Sequence, residues 1–351
     1  MAASLLSWLA SATAPVADSR EKTRVSEAGA TLRSVRPALK AGLRPVWRDQ
    51  ETVQIGIDPR RAVALTGMGA AASVIGLLDG SRDRDQVLTS AREQGVPEPV
   101  TERILTLLAA GGVLDDFPAA ALAALTQDQR RRLRAELATA ALARGHSDAG
   151  AAALARRDAA RVQVYGPGRI ATALTDILAT SGVGQVTTCD DVHATAGSPA
   201  GSWRRDGRPV LPDLAVLVGY QQPELTGWLM RAGVVHLAIV AEEAIGIVGP
   251  LVRPGRTSCL RCLHLTRSDL DPAWPLILAQ LVGSAASPSA CDAALAAAVA
   301  AQAAVQALAV LDRDPAPGPA ENGTLELELP GWQWHRRTWP PHPDCGCLRS
   351  R

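Results

Sequence analysis

Lysine is nearly missing from this sequence. Of 36 basic residues only Lys22 and Lys40 are lysine, so beyond residue 40 a lysine-dependent site is excluded and any cationic work falls to arginine or histidine. Net charge is nearly absent too: 36 basic against 35 acidic residues leave +1, with no long block of one sign. That offers no electrostatic footprint for nucleic acid or for an anionic membrane. A membrane-spanning run is also missing. The nearest stretch, Ala293 to Leu311, is mostly alanine, carries Gln302 and Gln306, and reads as a buried or interface helix. Leu5 to Ala14 followed by Pro15-Val16-Ala17 loosely resembles the end of a secretory signal, but no basic residue precedes it. Residues 1–35 therefore read as a disordered or weakly helical extension, and the chain as cytoplasmic.

What remains is enough to fold. With 351 residues and 47% hydrophobic content, about two domains are expected. Val46-Trp47, Thr52 to Ile57 and Ala62 to Thr66 read as three short strands. Ala70 to Leu78, Asp83 to Gln94 and Pro99 to Ala110 follow as three helices, and in the third Val100, Ile104, Leu107 and Leu108 recur at helical spacing. Residues 36–117 form an α+β module. Residues 118–157, rich in alanine, arginine and glutamine, read as a helical connector with a start at Thr126. From Asp158 strands and helices alternate: Val162 to Tyr165, Ile170 to Ser181, Gln185 to Thr188, Leu214 to Val218, Glu224 to Ala232 and Val235 to Ala241. Alternation of that kind predicts a parallel sheet with crossover helices, in a domain spanning 158–351. Asn322-Gly323, then Thr324 to Leu329 and Trp332 to Thr338, read as a hairpin.

Two motifs carry chemistry. Val162 to Tyr165 runs into Gly166-Pro167-Gly168-Arg169-Ile170-Ala171 and a helix, the context a nucleotide fingerprint needs. Gly166 permits the tight turn, Gly168 a close backbone approach to phosphate, and Ala171 lets helix pack on strand. Asp190, about 20 residues on, is placed to accept ribose hydroxyls. A strand-to-helix turn with no nucleotide would select the same glycines, and Pro167 removes one amide donor, so both readings stay open. The second motif is Cys259-Leu260-Arg261-Cys262 with Cys345-Gly346-Cys347. The two-residue gap lets both thiolates reach one zinc, and Gly346 allows the sharper bend of a one-residue gap. Four protein ligands leave no open coordination position, so this zinc is expected to be structural. His264 and His342 lie nearby, while Cys189 and Cys291 stand alone and read as small core residues.

The order of these features resembles the ThiF family of the ubiquitin-activating-enzyme-like superfamily. The features are the glycine turn, a second strand ending in aspartate, the strand Asp213 to Val218, Gly249 to Gly255 leading into Cys259-x-x-Cys262, and a C-terminal cysteine pair. The likeness implies a doubly wound, mostly parallel α/β domain with structural zinc, commonly dimeric, that binds ATP and adenylates the C-terminal glycine of a small protein. The N-terminal module resembles the PqqD-type winged-helix domain that recognises leader peptides of ribosomally made natural products. Its pairing with a ThiF-like domain resembles the ocin-ThiF-like proteins of azoline and thiopeptide pathways, as do His342-Pro343-Asp344-Cys345-Gly346-Cys347 and Asp271 to Pro275. Such proteins hold a precursor for a partner YcaO cyclodehydratase. In these modules the leader adds as a strand beside the third strand and in the groove of the third helix. Carried onto this chain, the edge is Ala62, Val63, Leu65 and Thr66, and the groove Arg103, Ile104 and Leu107.

One departure separates enzyme from binding protein. Active members carry an Asn/Arg cluster and a lysine around the triphosphate, and an aspartate just after the strand that here ends at Val218. This chain has Gly219-Tyr220-Gln221-Gln222 there and no lysine after residue 40. Adenylyl transfer rests on metal and cation clamps around developing charge. The sequence thus predicts a leader-binding scaffold without catalytic residues, with zinc, and with a precursor leader peptide, a modifying enzyme and a second copy as partners. The alternatives are an ATP-dependent adenylyltransferase and a winged-helix regulator.

Overall fold

The computed structural model describes residues 36–116, 125–144, 148–189, 204–205, 208–282 and 290–348. Contacts divide the chain into an N-terminal unit, up to residue 118, and an α/β unit, residues 119–351, which also takes in Lys40–Gly42. Lys40 is buried there, and its Nζ donates to the Ala141 carbonyl at 3.1 Å.

In the N-terminal unit β1 (Pro37–Leu39) pairs antiparallel with β5 (Leu114–Asp116), closing the two ends of the module on each other. Between them β2 (Pro45–Trp47), β3 (Val53–Ile55) and β4 (Val63–Leu65) make an antiparallel sheet in the order β2-β3-β4. Gly69–Leu77 is a 3₁₀ helix, whose three residues per turn stack Ala71, Val74 and Leu77 toward the core. The helix α1 (Arg84–Glu93) opens with a reciprocal capping box between Asp83 and Gln86. The next, α2 (Glu98–Ala110), has proline in its first turn, where a missing N–H costs nothing. Val53, Ile55, Leu65, Val74, Val87, Ile104, Leu105 and Leu108 form the core.

The α/β unit begins with α3 (Gln127–Arg132), α4 (Arg134–Arg144) and α5 (Ala151–Ala159). Its sheet strands are β6 (Arg161–Tyr165), β7 (Gln185–Cys189), β10 (Leu214–Val218), β11 (His236–Glu242), β12 (Ile245–Val252), β13 (Gly323–Glu328) and β14 (Trp334–Thr338). A separate two-residue ribbon joins β8 (Arg204–Arg205) to β9 (Arg208–Pro209). The helices are α6 (Arg169–Thr180), α7 (Pro223–Ala232), α8 (Leu260–Leu270), α9 (Trp274–Leu281) and α10 (Ala293–Leu311). The sheet order is β14-β13-β12-β11-β10-β6-β7. It is mixed rather than mostly parallel: β7, β6, β10 and β11 run parallel, but β12, β13 and β14 are joined antiparallel. The cause is the hairpin return at Glu243–Ala244, both with positive φ, which sends β12 straight back beside β11 without a crossover helix.

Alternate residues of the central strands serve opposite faces. Val162, Val164, Leu214 and Val216 meet α6 and α10, while Tyr165, Ala215 and Leu217 meet Leu225 and Leu229 of α7. Both faces are thus covered, and each fully buried leucine or valine contributes about 1.5–3 kcal/mol. Among the described residues α10 is the one helix long and apolar enough to cross a membrane, and 56% of its most apolar window is buried inside the fold. A buried ion pair ties its far end to α5: Arg157 donates through Nε and Nη2 to both Asp312 oxygens at 2.8 Å, and through Nη1 to Glu136 at 3.1 Å.

Candidate metal centre, strand-end crevice and peptide edge

The cysteine pairs converge. Cys259 caps the N-terminus of α8 and Cys262 lies in its first turn, while Cys345 and Cys347 arrive on the tail that follows β14. All four Sγ atoms lie within 4.8 Å of one another. Cys259 is 3.9 Å from Cys262 and 3.5 Å from Cys345, and Cys262 is 3.4 Å from Cys347. Four thiolates at about 2.3 Å around a tetrahedral zinc would stand about 3.8 Å apart, so the donor set fits that ion. The distances are far too long for disulfides. Burial pushes the Cys259 thiol well above its ordinary range and that of Cys347 up to about 11. Cys262 is pushed upward by burial as well, but backbone hydrogen bonds at His342 and Cys259 overcome this and hold it low. A divalent cation would supply the positive charge that four clustered thiolates require.

Neither nearby histidine joins the cluster. His342 Nε2 donates to Asp269 at 2.9 Å and its Nδ1 accepts from the Asp344 amide. His264 Nδ1 accepts from the Trp274 indole at 3.3 Å, and burial followed by the Arg267 charge lowers its pKa to about 4. These contacts belong to a brace that spacing did not reveal. The Arg267 guanidinium lies over the rings of Trp274, at 4.7 Å, and Trp339, at 5.6 Å. It also hydrogen-bonds the Tyr220 hydroxyl. Trp274, four positions past the end of α8, was the one local signal; Trp339 is brought in by the fold.

At the other motif the chain leaves β6 toward β7 on one side, and the neighbouring β10 leads to β11 on the other. The carboxyl ends of β6 and β10 therefore form the switch-point crevice of an open sheet. Gly166 has φ +106° and a Cβ there would stand 2.3 Å from the Val218 carbonyl oxygen, so glycine is required by the close approach of the two strand ends. Gly168 has φ +103° and nothing within 4 Å of where its Cβ would stand, directly before α6. That open cradle fits a phosphate; Ala171 behind it is buried against the sheet. Asp190 lies outside the described residues. Across the crevice, residues 219–222 provide no carboxylate, and Tyr220, half-buried, is held by Arg267.

In the N-terminal unit β4 has β3 on one side, and among the described residues no strand pairs with its other edge. Ala62 and Val63 are half-buried and Thr66 is exposed, while the Leu65 side chain is in the core and leaves only its backbone to the edge. Along α2, Val100, Arg103 and Leu107 are exposed at helical spacing, Leu107 to 45%. Ile104 belongs to the core at 4% exposure, so the expectation that it lines the groove is corrected. The helix end meets the strand directly, since a Cβ on Gly111 would stand 2.5 Å from Val63 Cγ2.

No protein-family model matches the sequence. No curated protein matches it either. Solved structures do. The heterocyclase TruD superposes with TM-score 0.62 at 17% identity, covering 90% of this chain and 43% of the TruD chain. MccB from E. coli, determined with AMPCPP and MccA, superposes with TM-score 0.58 at 15% identity, covering 90% of this chain and 99% of that one. The microcin C7 biosynthetic enzyme MccB in complex with N-formylated MccA gives 0.57 at 14% identity, over 89% and 99%. The chain shares the α/β fold of these structures. It spans less than half the length of the TruD chain, and the 90% coverage extends beyond residues 119–351 into the N-terminal unit.

Proposed function

We propose that this protein is a leader-peptide-binding scaffold in the modification of ribosomally made peptides, with a PqqD-like module (36–117) that takes the leader and a zinc-tied ThiF-like domain (158–351) that presents it. The observation that carries this reading is the free β4 edge beside the exposed Val100, Arg103 and Leu107 of α2. An added strand gains main-chain bonds from β4 and side-chain contacts from Val63, Leu107 and the Arg103 charge. The neighbours support the reading: one structure is a heterocyclase in complex with substrate and cofactor, and MccB is a biosynthetic enzyme seen with MccA. Zinc held by Cys259, Cys262, Cys345 and Cys347 is structural, since the protein fills all four positions. The partners are a precursor leader, a modifying enzyme such as a YcaO cyclodehydratase, and a second copy of the chain.

Calorimetry against the leader peptides encoded beside this protein tests it: micromolar binding is expected, and its absence for every peptide overturns the reading. One observation favours the adenylyltransferase alternative, namely the open turn at Gly168. That alternative requires peptide-dependent pyrophosphate exchange that disappears in Gly168→Val.

A further inference from the structure

We propose that the β4 edge reads its peptide in one register, with a single residue paired to Ala64 and an apolar residue on either side of it. This rests on the reading of that edge as the leader-binding surface, and it names the class of segment the edge selects: apolar, any residue, apolar, with an acidic residue close by. Main-chain parity, the two faces of the sheet and one uncompensated charge carry it.

The parity follows from hydrogen bonds on the far side of the sheet. Arg48 N–H donates to the Thr52 carbonyl and Gly56 N–H to the Arg44 carbonyl, each at 2.9 Å, so Thr52, Gln54 and Gly56 turn their main-chain groups toward β2. Successive residues of an antiparallel strand turn theirs to opposite sides. Val53 and Ile55 therefore face β4, where they pair with Leu65 and Val63. The main-chain groups of those two are bonded to β3, and within β4 only Ala64 turns its N–H and C=O outward, to no partner strand among the described residues. The sheet's other edge is closed to this. The outward groups of β2 are those of Pro45 and Trp47, Pro45 has no N–H, and the exposed Arg44 and Arg48 flank the strand. Proline and charge are what native edges use to refuse a further strand.

Paired antiparallel, as throughout this sheet, one peptide residue exchanges two hydrogen bonds with Ala64. Its side chain lies on the outer face with those of Ala64 and Gln54, which sets no apolar requirement. Its two neighbours point to the other face, opposite Val63 and Leu65, where Gly111 brings the end of α2 against Val63 and Leu107 is exposed one turn earlier. Those two positions are apolar. The acidic residue follows from α2 itself: Glu98 and Glu102 are paired with Arg92 and Arg84, while the exposed Arg103 has no ion-pair partner among the described residues. Arg103 precedes Leu107 by about 6 Å of helix, which is about two residues of an extended chain.

A phage-displayed library of random peptides, panned on the full-length protein, tests this. Enriched peptides are expected to share the apolar-any-apolar pattern with an acidic residue about two positions away. N-methylation of the middle residue should weaken binding about ten-fold, because its N–H pairs with the Ala64 carbonyl; N-methylation of either apolar neighbour, whose N–H points away from β4, should stay within about two-fold. Ala64→Pro should abolish binding while the Val63 and Leu65 amides keep their protection from hydrogen exchange, since the N–H it removes faces outward. Arg103→Glu should invert the preference from glutamate to lysine at the acidic position. No enrichment, enriched peptides without the pattern, a flat methylation scan or full binding by Ala64→Pro overturns the proposal. The methylation scan leaves the protein untouched and decides even where Ala64→Pro fails to fold. Encoded leaders that bind without the alternation sink the register and leave the scaffold reading standing; library peptides that show it while no encoded leader binds do the reverse.

Discussion

The two units use their scarce residues in opposite ways. Every cysteine and histidine of the chain lies beyond residue 116, and several of them brace the α/β unit: four thiols in one cluster, His342 on Asp269, and His236 buried with Nδ1 donating to the Val234 carbonyl. The N-terminal unit, residues 36–116, has none of these side chains. It folds on short strands and an apolar core, and among the described residues one edge of β4 is unpaired beside the exposed stripe of α2. A domain without such groups can still bind through backbone and shape.

The largest test of that contrast is removal of the metal. Cys259→Ser or Cys345→Ser should lower elemental zinc from one per chain to none. Because structural zinc contributes on the order of 10 kcal/mol, the α/β unit should lose cooperative unfolding while amide protection in residues 37–116 persists. A folded, metal-free protein would break the contrast. Next comes Asp312→Ala, which strands the buried Arg157 guanidinium. It should cost about 3–5 kcal/mol in urea unfolding of the α/β unit and leave leader affinity unchanged.

The third test is pH. Burial, only partly offset by its bond to Val234, lowers His236 to about 4, against an ordinary 6.5. Between those values the unfolded chain binds a proton that the folded chain does not, so stability must fall as pH drops from about 6.5 toward 4. His236 accounts for up to about 3 kcal/mol of that loss, in the α/β unit alone; His264, also lowered to about 4, adds to it, so His236→Gln should remove only its own share of the slope. Equal acid sensitivity of the histidine-free N-terminal unit would contradict this. The smallest expected effect is Leu107→Glu: leader affinity falls about ten-fold, roughly 1.4 kcal/mol, with unfolding within about 0.5 kcal/mol of wild type. The reverse pattern, lost stability with intact binding, would make Leu107 a core residue.

Much of this was legible before any coordinates. Cysteine spacing is a local signal tied to ligand geometry, and the four thiols do meet. The three strands and following helices of the N-terminal unit, the glycine turn and the closing hairpin likewise rest on local turn chemistry and periodicity. What escaped was non-local. β12 was hidden because Gly249-Pro250 reads as a break, and with it went the sheet's antiparallel half. The β1–β5 pair joins three-residue strands from the two ends of the module, too short for any pattern. Arg157 and Asp312 lie 155 positions apart, and Arg267 meets its two indoles only through tertiary packing. The glycine turn was visible, but the tenant of the opposite strand end, Tyr220 held by Arg267, was not.

The distance between the two cysteine pairs also bears on how the molecule assembles. Cys259 and Cys345 are separated by 86 positions, and closing a loop of that size costs about 4 kcal/mol of chain entropy before any contact rewards it. Each pair alone offers a nascent chain only two sulfur ligands. The full cluster therefore closes late, once β11, β12 and β13 have aligned, and metal uptake should follow sheet formation in time, lagging in a stopped-flow record behind the burial of Trp339.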